Sequence, residues 1–235
     1  MLKSWALVLL ALSLVQLPAS AADMDQPYDW SGPYVGLYAG HATGNADDEF
    51  SGYLNASPWL SYVDPMAIKG NMLGALAGYN YAAGNFVLGV EADFGHANVD
   101  GSINFAGDSE KGAYITNFDM GWNGHLRARA GIAADNLLFF VAGGLAVAQA
   151  DYSYNWPPNP TEIYHGHATY KGLSLGAGLD YAFSPALLLR AEYLYDNFGD
   201  HSFDFQGTGD LAYYHAIDDV SLQTHALRVA LAYKF

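Results

Sequence analysis

The final fourteen residues, Leu222 to Phe235, alternate strictly between large apolar side chains and small or charged ones. The apolar parity holds Leu227, Val229, Leu231, Tyr233 and Phe235, and the other parity holds Arg228 and Lys234 among alanines. A period of two is typical of a strand with two different faces. Unpaired charges are not tolerated in an apolar core, and the opposite face is too apolar for water. The pattern therefore predicts a transmembrane β-barrel strand, apolar outward and polar inward.

The same alternation recurs in seven earlier segments, at about residues 33–43, 68–82, 86–96, 118–133, 137–148, 171–183 and 186–197. Short turns at 83–85, 134–136 and 184–185 alternate with long polar connections at 44–67, 97–117, 149–169 and 198–220. Tight periplasmic turns and longer external loops are typical of outer-membrane barrels. We predict an all-β fold, an eight-stranded antiparallel up-and-down transmembrane β-barrel.

Aromatic residues of the outward parity fall in two groups, one at each end of the predicted strands. Tyr79, Tyr81, Phe86, Tyr181, Phe183, Tyr233 and Phe235 lie beside short turns or the terminus, and Phe94, Trp122, Tyr193 and Tyr195 lie at the opposite ends. Two aromatic girdles indicate contact with lipid. A soluble eight-stranded barrel has an apolar interior and a polar exterior, the reverse of this pattern.

Residues 1–22 have the features of an export signal: Lys3, an apolar run, and small residues that place cleavage near Ala21 or Ala22. We predict a signal peptide over 1–22, a short periplasmic leader over 23–32 and the barrel over 33–235. The longest other apolar run, 137–150, would rise only ~21 Å as a helix, too short to span a bilayer. These features predict an exported protein embedded in the outer membrane by strands.

Composition narrows the function classes. The 235 residues include 24 acidic and 9 basic side chains and no Cys, and loss of the signal would leave 8 basic residues. The absence of Cys excludes disulfides, thiol catalysis and Cys-based zinc sites. The acidic balance argues against a nucleic-acid partner, which requires Lys and Arg on phosphates.

Several stretches resemble the small porin-like β-barrel surface proteins of Gram-negative outer membranes, a group that includes the opacity-like eight-stranded barrels. They are WSGPYVGLYAG (30–40), GVEADFG (89–95), LRARAGIA (126–133), RAEYLYDNFG (190–199) and LAYKF (231–235). A departure is Leu76, where such proteins often carry a polar inward residue. The resemblance implies a surface protein, porin or haemin binder that is in contact with outer-membrane lipid and lipopolysaccharide. It also implies that Tyr233 and Phe235 form an assembly signal read by the barrel-assembly machinery, after escort by periplasmic chaperones.

The inward parity contains five of the eight basic residues of the mature chain. Its charged members are Glu91, Asp93, Arg127, Arg129, Asp180, Arg190, Glu192, Arg228 and Lys234. One interpretation is a charged pore lining or proton path, and the other is a structural ion-pair network that fills the lumen. We favour the network, because eight strands leave an interior just wide enough for side chains.

The His residues suggest a second, alternative chemistry. By parity and position, all eight lie in or near the external half, and His165-x-His167 would present two imidazoles on one side of an extended segment. Imidazole suits zinc, copper and haem iron. The competing interpretation is that these His residues are ordinary polar side chains of a solvated loop. We therefore expect no cofactor requirement, with haemin or metal at His165 and His167 as the alternative.

The external connections are acidic, with Asp47, Asp48 and Glu49 in the first of them. They either bridge through divalent cations to lipopolysaccharide phosphates, contact a basic partner, or simply solvate the loops. No Ser accompanies the outward His41 and His96, so we expect no catalytic site. The prediction is a monomeric structural and surface-displayed barrel, with ligand capture or narrow diffusion as alternatives.

Overall fold

The computed structural model describes residues 28–106, 114–155, 163–206 and 214–235, so the predicted export signal lies outside the described residues. The strands are β1 (Gly32–Leu54), β2 (Ser57–Asp64), β3 (Ala67–Ala83), β4 (Phe86–Phe105), β5 (Tyr114–Ala134), β6 (Leu137–Asn155), β7 (Ile163–Ala182), β8 (Leu187–Gln206) and β9 (Tyr214–Lys234). Within these ranges no helix is long and apolar enough to cross a membrane.

The strands form one antiparallel ring, which β1 closes by pairing with β9. β2 and β3 are successive parts of one barrel strand, because Asp48 of β1 faces Asp64 and Asn45 faces Ala67. The break between them falls at Pro65, which has no N–H to donate to a ladder. The nine segments are therefore eight barrel strands, and the predicted eight-stranded antiparallel barrel is confirmed.

Three short turns join the strands at one end. Gly84 and Asp135 adopt left-handed φ angles of 62° and 53° in two of them. Glycine meets no Cβ clash in this region and Asp tolerates it better than most residues, so both sequences favour tight turns. In the third, the backbone N–H groups of Ala186 and Leu187 donate to Ser184 Oγ. The predicted turns at 83–85, 134–136 and 184–185 are confirmed.

At the opposite end, the predicted loops are wrong in their described parts. β1 runs to Leu54 and β9 starts at Tyr214, so strand structure occupies most of the regions expected to be irregular. The alternation continues there with its polarity reversed: on β6, Leu145 is 59% exposed outward, whereas further along Tyr152 is 1% exposed and faces inward. The predicted strands were identified by apolar residues on the outward face, and this criterion does not detect strands whose apolar face turns inward.

The ring divides into two sheets at this end. The β3–β4 register ends at Lys69 and Asp100, and the β7–β8 register ends at Leu173 and Asn197, although β4, β7 and β8 all continue. Beyond these points one sheet contains β8, β9, β1 and β2, and the other contains β4, β5, β6 and β7. We call this part the two-sheet extension; its interior contains Phe50, Phe118, Tyr152, Tyr170, Phe203 and Leu222.

Between the turns and the two-sheet extension, the outer surface is an apolar belt. Its exposed side chains include Leu37, Leu73, Val90, Leu126, Val141, Leu175, Leu189 and Val229. Tyr79, Phe86 and Phe235 lie outward at the turn end of this belt, and Phe94, Trp122 and Tyr193 at the other. Such a belt flanked by aromatic rings is the surface that a bilayer requires.

Candidate functional site

The lumen at the height of the apolar belt contains eight of the nine charged residues predicted to share it. Register places them in adjacent pairs: Glu91 faces Arg127, Asp180 faces Arg190, and Glu192 faces Arg228. All eight are at most 7% exposed: Glu91, Asp93, Arg127, Arg129, Asp180, Arg190, Glu192 and Arg228. We call these eight residues the lumen network.

Ion pairs cross the lumen as well as following the wall. Arg127 of β5 donates from Nη1 to Glu192 Oε1 of β8 at 2.7 Å and from Nη2 to Glu91 Oε1 of β4 at 2.8 Å. Arg190 of β8 donates from Nη1 to Glu91 Oε2 at 2.5 Å. Because β4 and β8 share no register, these side chains connect opposite walls of the barrel.

Arg129 and Arg228 add further ion pairs to the lumen network, and Arg190 Nε also donates to Asp180 Oδ1 at 2.7 Å. Arg129 Nη2 donates to Asp180 Oδ2 at 2.8 Å, and Arg228 reaches Glu192 Oε2 at 2.6 Å and Asp93 Oδ2 at 3.3 Å. Four guanidinium groups therefore balance four carboxylates. Such hydrogen-bonded pairs offset the large cost of removing each ion from water, and loss of one partner leaves a buried charge uncompensated.

Two tyrosines of β1, absent from the predicted set, belong to the same layer. Tyr34 Oη donates to Glu91 Oε2 at 2.7 Å and accepts from Arg129 Nη1 at 2.8 Å. The Arg228 guanidinium carbon lies 4.6 Å from the Tyr38 ring centroid, a cation–π distance. The inward parity of both residues was visible in the sequence, but tyrosine carries no charge to draw attention to it.

His125, which was predicted to lie in or near the external half, faces the lumen. It is 5% exposed in the lumen, where Nδ1 lies 2.7 Å from Asp93 Oδ1 and Nε2 lies 3.4 Å from Asp196 Oδ1. Asp196 also accepts from Thr224 Oγ1 at 3.3 Å. His125 and Asp196 were missed as members of this layer, although they share the parity of Arg127 and Glu192.

Lys234 was predicted to join the lumen network, and the structure places it elsewhere. None of the ion pairs between described residues includes it, and its Nζ lies 5.1 Å from the Tyr28 ring centroid at the turn end. Lys234 is the last inward position before the rim, below the layer in which the other charges meet. Parity alone gives the face of a side chain but not its height.

Residues 28–31 form hydrogen bonds with two of the three turns at this end and with the end of β3. Tyr28 Oη donates to the Pro185 carbonyl at 3.2 Å, and Trp30 Nε1 donates to the Asp135 carbonyl at 3.2 Å. The Ala82 N–H donates to Ser31 Oγ at 3.1 Å. Trp30 is only 2% exposed, so this segment, which we call the floor, packs its indole inside the barrel rim.

His165 and His167 lie outside the lumen, on the exposed outer face of β7. They face Ser153 and Asp151 of β6, and His167 Nδ1 lies 2.6 Å from Asp151 Oδ1. Both imidazoles line a surface depression of about 330 Å³. Among the residues that the structure describes, no group of three or more His, Asp or Glu side chains is arranged to hold a metal ion.

The acidic residues of the two-sheet extension include one that was predicted to lie in a solvated loop and is buried, and a row that is exposed. Asp48 is 4% exposed and faces the interior of the two-sheet extension, so its assignment to a solvated loop is wrong. Asp100, Asp119 and Asp151 are exposed and stand opposite one another on β4, β5 and β6. Partial burial, together with the negative charges of Asp100 and Asp151, raises the pKa of Asp119.

The two residues predicted to carry the assembly signal lie at the turn end of the belt. Tyr233 and Phe235 are 47% and 69% exposed on the outward face, with ring centroids 5.1 Å apart in an edge-to-face arrangement. The Phe235 N–H donates to the Pro33 carbonyl at 3.1 Å. The terminal residue is thus held in the ladder between the first and last strands, and its ring remains accessible.

Comparisons with known proteins agree with this geometry. The model of the outer membrane protein beta-barrel domain family matches residues 7–235. The chain is 31% identical over 220 residues to the 31 kDa outer-membrane immunogenic protein of Brucella melitensis, covering 92% of this chain and 88% of that protein. It is 28% identical to the 25 kDa outer-membrane immunogenic protein of Brucella abortus, covering 100% and 99%. The crystal structure of OprG from Pseudomonas aeruginosa matches with a TM-score of 0.50 at 14% identity, covering 87% and 96%.

Proposed function

The chain belongs to the outer membrane protein beta-barrel domain family, and from that premise we propose that it is a structural, surface-displayed barrel with a sealed lumen. Its relatives are named outer-membrane immunogenic proteins, and the chain lies in the outer membrane. In this proposal its short turns face the periplasm and the two-sheet extension faces outward, as short turns and long connections do in outer-membrane barrels. It carries no catalytic role in this proposal. It stabilises the envelope and presents acidic strands and loops at the cell surface.

The observation that carries this proposal is the set of ion pairs across the lumen. Arg190 and Glu91 meet at 2.5 Å from opposite walls, and Arg127 connects Glu91 to Glu192. A hydrated ion that passes this layer must separate ion pairs that are buried away from water, at a cost of several kcal/mol. The floor adds a second obstruction, because Trp30 is buried beneath the network. A narrow diffusion porin is therefore the less favoured alternative.

Planar-bilayer conductance tests this proposal. We expect the purified protein to show no unitary conductance, and the double variant Arg190→Ala with Glu91→Ala to show small openings because it removes one cross-lumen pair without leaving a lone charge. The matched control is Lys171→Ala with Asp100→Ala, which removes the same charges from exposed outer positions. Steady conductance of the unmodified protein, equal to that of the double variant, would contradict a sealed lumen.

We further infer that assembly depends on the exposed rings of Tyr233 and Phe235, which the barrel-assembly machinery would contact after delivery by periplasmic chaperones. Both side chains are free at the turn end, whereas Val229 and Leu231 lie higher in the belt. Phe235→Ala is expected to lower the folded fraction in the outer membrane, and Phe183→Ala, an exposed ring at the same end, is the control. Heat-modifiable mobility on gels reports folding, and equal folded fractions for both variants would remove this inference.

A second candidate function is haemin capture by the depression lined by His165 and His167. The Asp151 carboxylate binds His167 Nδ1 and so leaves Nε2 as the ligand nitrogen, in the manner of second-shell carboxylates at metal sites. Haem iron needs only one or two axial imidazoles, whereas a bare metal ion needs a larger set. Absorbance titration with haemin tests this, and unchanged affinity of the His165→Ala, His167→Ala double variant would exclude it. His41→Ala with His96→Ala is the matched control.

A further inference from the structure

The interior of the two-sheet extension contains two buried carboxyls that share a single donor. Asp48 of β1 and Asp218 of β9 lie on one sheet, and Tyr152 of β6 lies on the other. Tyr152 Oη lies 2.8 Å from Asp48 Oδ2 and 3.1 Å from Asp218 Oδ2. A hydroxyl has one proton, so it can donate to only one of these carboxylates at a time.

No cationic side chain of the described residues forms an ion pair with either carboxyl. The ion pairs formed by described residues include neither Asp48 nor Asp218, and both Oδ1 atoms are buried without a hydrogen-bond partner. The buried Thr116 Oγ1 is also without a hydrogen-bond partner. The other titratable groups around the pair are Asp64 and Tyr62 of β2, Tyr114 of β5, Tyr154 of β6, Tyr170 of β7 beside His201 of β8, and Asp219 of β9.

The environment of the pair favours protonation. Burial raises the pKa of both carboxyls, and the charge of Asp48 raises the pKa of Asp218 further, while the Tyr152 hydrogen bond opposes the shift. Two buried carboxylates that share one site do not both ionise readily. A proton on one of them supplies the second donor that the geometry lacks.

We propose that Asp48, Asp218 and Tyr152 form a proton-operated latch, which joins the two sheets of the extension when the carboxyls hold a proton and releases them when both are ionised. With one proton bound, the Tyr152 hydroxyl donates to one carboxyl oxygen and the protonated carboxyl donates to its neighbour. When that proton passes to solvent, two buried carboxylates face one hydroxyl. Separation of the two sheets then returns both carboxylates to water. It also exposes the Phe203 ring, which stacks on Tyr152 with the ring centroids 5.1 Å apart.

The sign of the pH dependence follows from linkage. Because the folded pKa of each carboxyl lies above its ordinary value, the closed extension is most stable at acid pH and loses that stability as pH rises through the raised values. The lumen network and the belt lie below this layer, so the opening is confined to the extension. This inference concerns regulation of the surface and does not depend on whether the lumen is sealed.

Amide hydrogen exchange of the full-length protein in detergent micelles, followed by mass spectrometry, tests the latch. The quantity is the exchange rate of residues 46–54 and 214–222 in the wild type divided by that in Asp218→Asn at the same pH, which cancels the intrinsic pH dependence of exchange. Asn supplies a permanent donor, so we expect a ratio near one at about pH 5 and about tenfold or more at about pH 9, since one pKa unit corresponds to tenfold. Asp48→Asn provides an independent second variant.

The control is Asp100→Asn, an exposed carboxyl on the outer face of β4, which should exchange like the wild type at every pH. A ratio that stays at one for both Asp218→Asn and Asp48→Asn across this range overturns the proposal. So does a ratio that departs from one equally at acid and alkaline pH, because that would reflect a structural rather than a protonation effect.

Discussion

Arg190 and Glu91 stand on strands that share no register, and their side chains meet across the lumen with Nη1 and Oε2 2.5 Å apart. Glu91 is also bound by Arg127 of the adjacent strand and by the Tyr34 hydroxyl. One carboxylate thus connects the wall of β4 to β5, β8 and β1. The interior of the barrel is held together by charge at the height where its exterior is apolar, which is the inverse of a soluble domain.

Loss of one cation from the lumen network should destabilise the folded barrel. We expect Arg127→Met to lower the free energy of unfolding by about 3–5 kcal/mol, because Glu91 and Glu192 each lose a buried partner. The measurement is the urea midpoint in lipid vesicles, taken from tryptophan fluorescence. Lys171→Met removes the same charge from an exposed position and should leave the midpoint within error. Equal midpoints for the two variants would show that the lumen network does not contribute to stability.

Tyr34 occupies space that only a glycine partner leaves free. A Cβ added at Gly78, its neighbour across the β1–β3 ladder, would overlap the Tyr34 ring and hydroxyl. Gly78→Ala should displace that hydroxyl from Glu91 and Arg129, and we expect a loss of about 1–3 kcal/mol, as for overpacking in a core. Gly121→Ala is the matched control, because a Cβ there meets nothing within 4 Å. Thermal unfolding in micelles distinguishes them, and equal melting temperatures would refute the argument.

Strand number, face and turn position could be predicted from the sequence because each depends on local alternation. Leu231, Arg228 and Gly84 are assigned correctly by parity or turn chemistry alone. The ends of the strands could not be predicted in this way. In β5, a bulge shifts the register between Met120 and Asn123. On the side of this bulge away from the turns, the apolar residues of β5 face inward. A bulge inserts one residue and reverses every assignment made by counting parity.

The alternation of apolar and polar residues also could not predict how far along the barrel axis an inward side chain lies. Lys234 and Arg228 share a face, yet only Arg228 reaches the network, because six residues of a tilted strand separate their levels. Asp48 was expected in solvent because its neighbours in sequence are polar, and its burial depends on Tyr152, about a hundred residues away. Contacts between opposite walls follow from strand tilt and shear, which no single strand specifies.

The floor gives a prediction about the stability of the turn end of the barrel. Trp30→Ala removes an indole that is 2% exposed and donates to the Asp135 carbonyl. We expect a cost of about 3–5 kcal/mol, the usual range for truncating a buried Trp, in the same urea experiment with tyrosine fluorescence as the readout. Ser31→Ala removes only one hydrogen bond at this end, to the Ala82 N–H, and should cost about 1 kcal/mol. A Trp30→Ala midpoint no lower than that of Ser31→Ala would mean that the segment rests on the rim without stabilising it.

The three exposed aspartates that face one another across β4, β5 and β6 predict a variant that gains stability. Asp119 stands between Asp100 and Asp151, and like charges directly opposite one another destabilise a sheet. Its pKa is raised, so its ionisation weakens the folded strands as pH rises through that value, and Asp119→Asn should remove this loss. Because the group is exposed to solvent, the gain is about a few tenths of a kcal/mol, and it should shrink in high salt. Hydrogen exchange of residues 114–120 at neutral pH measures it. Asp135→Asn, in a turn at the other end of the barrel, is the control with the same change of charge. A gain that is unaffected by salt would show that the benefit comes from the amide rather than from relief of repulsion.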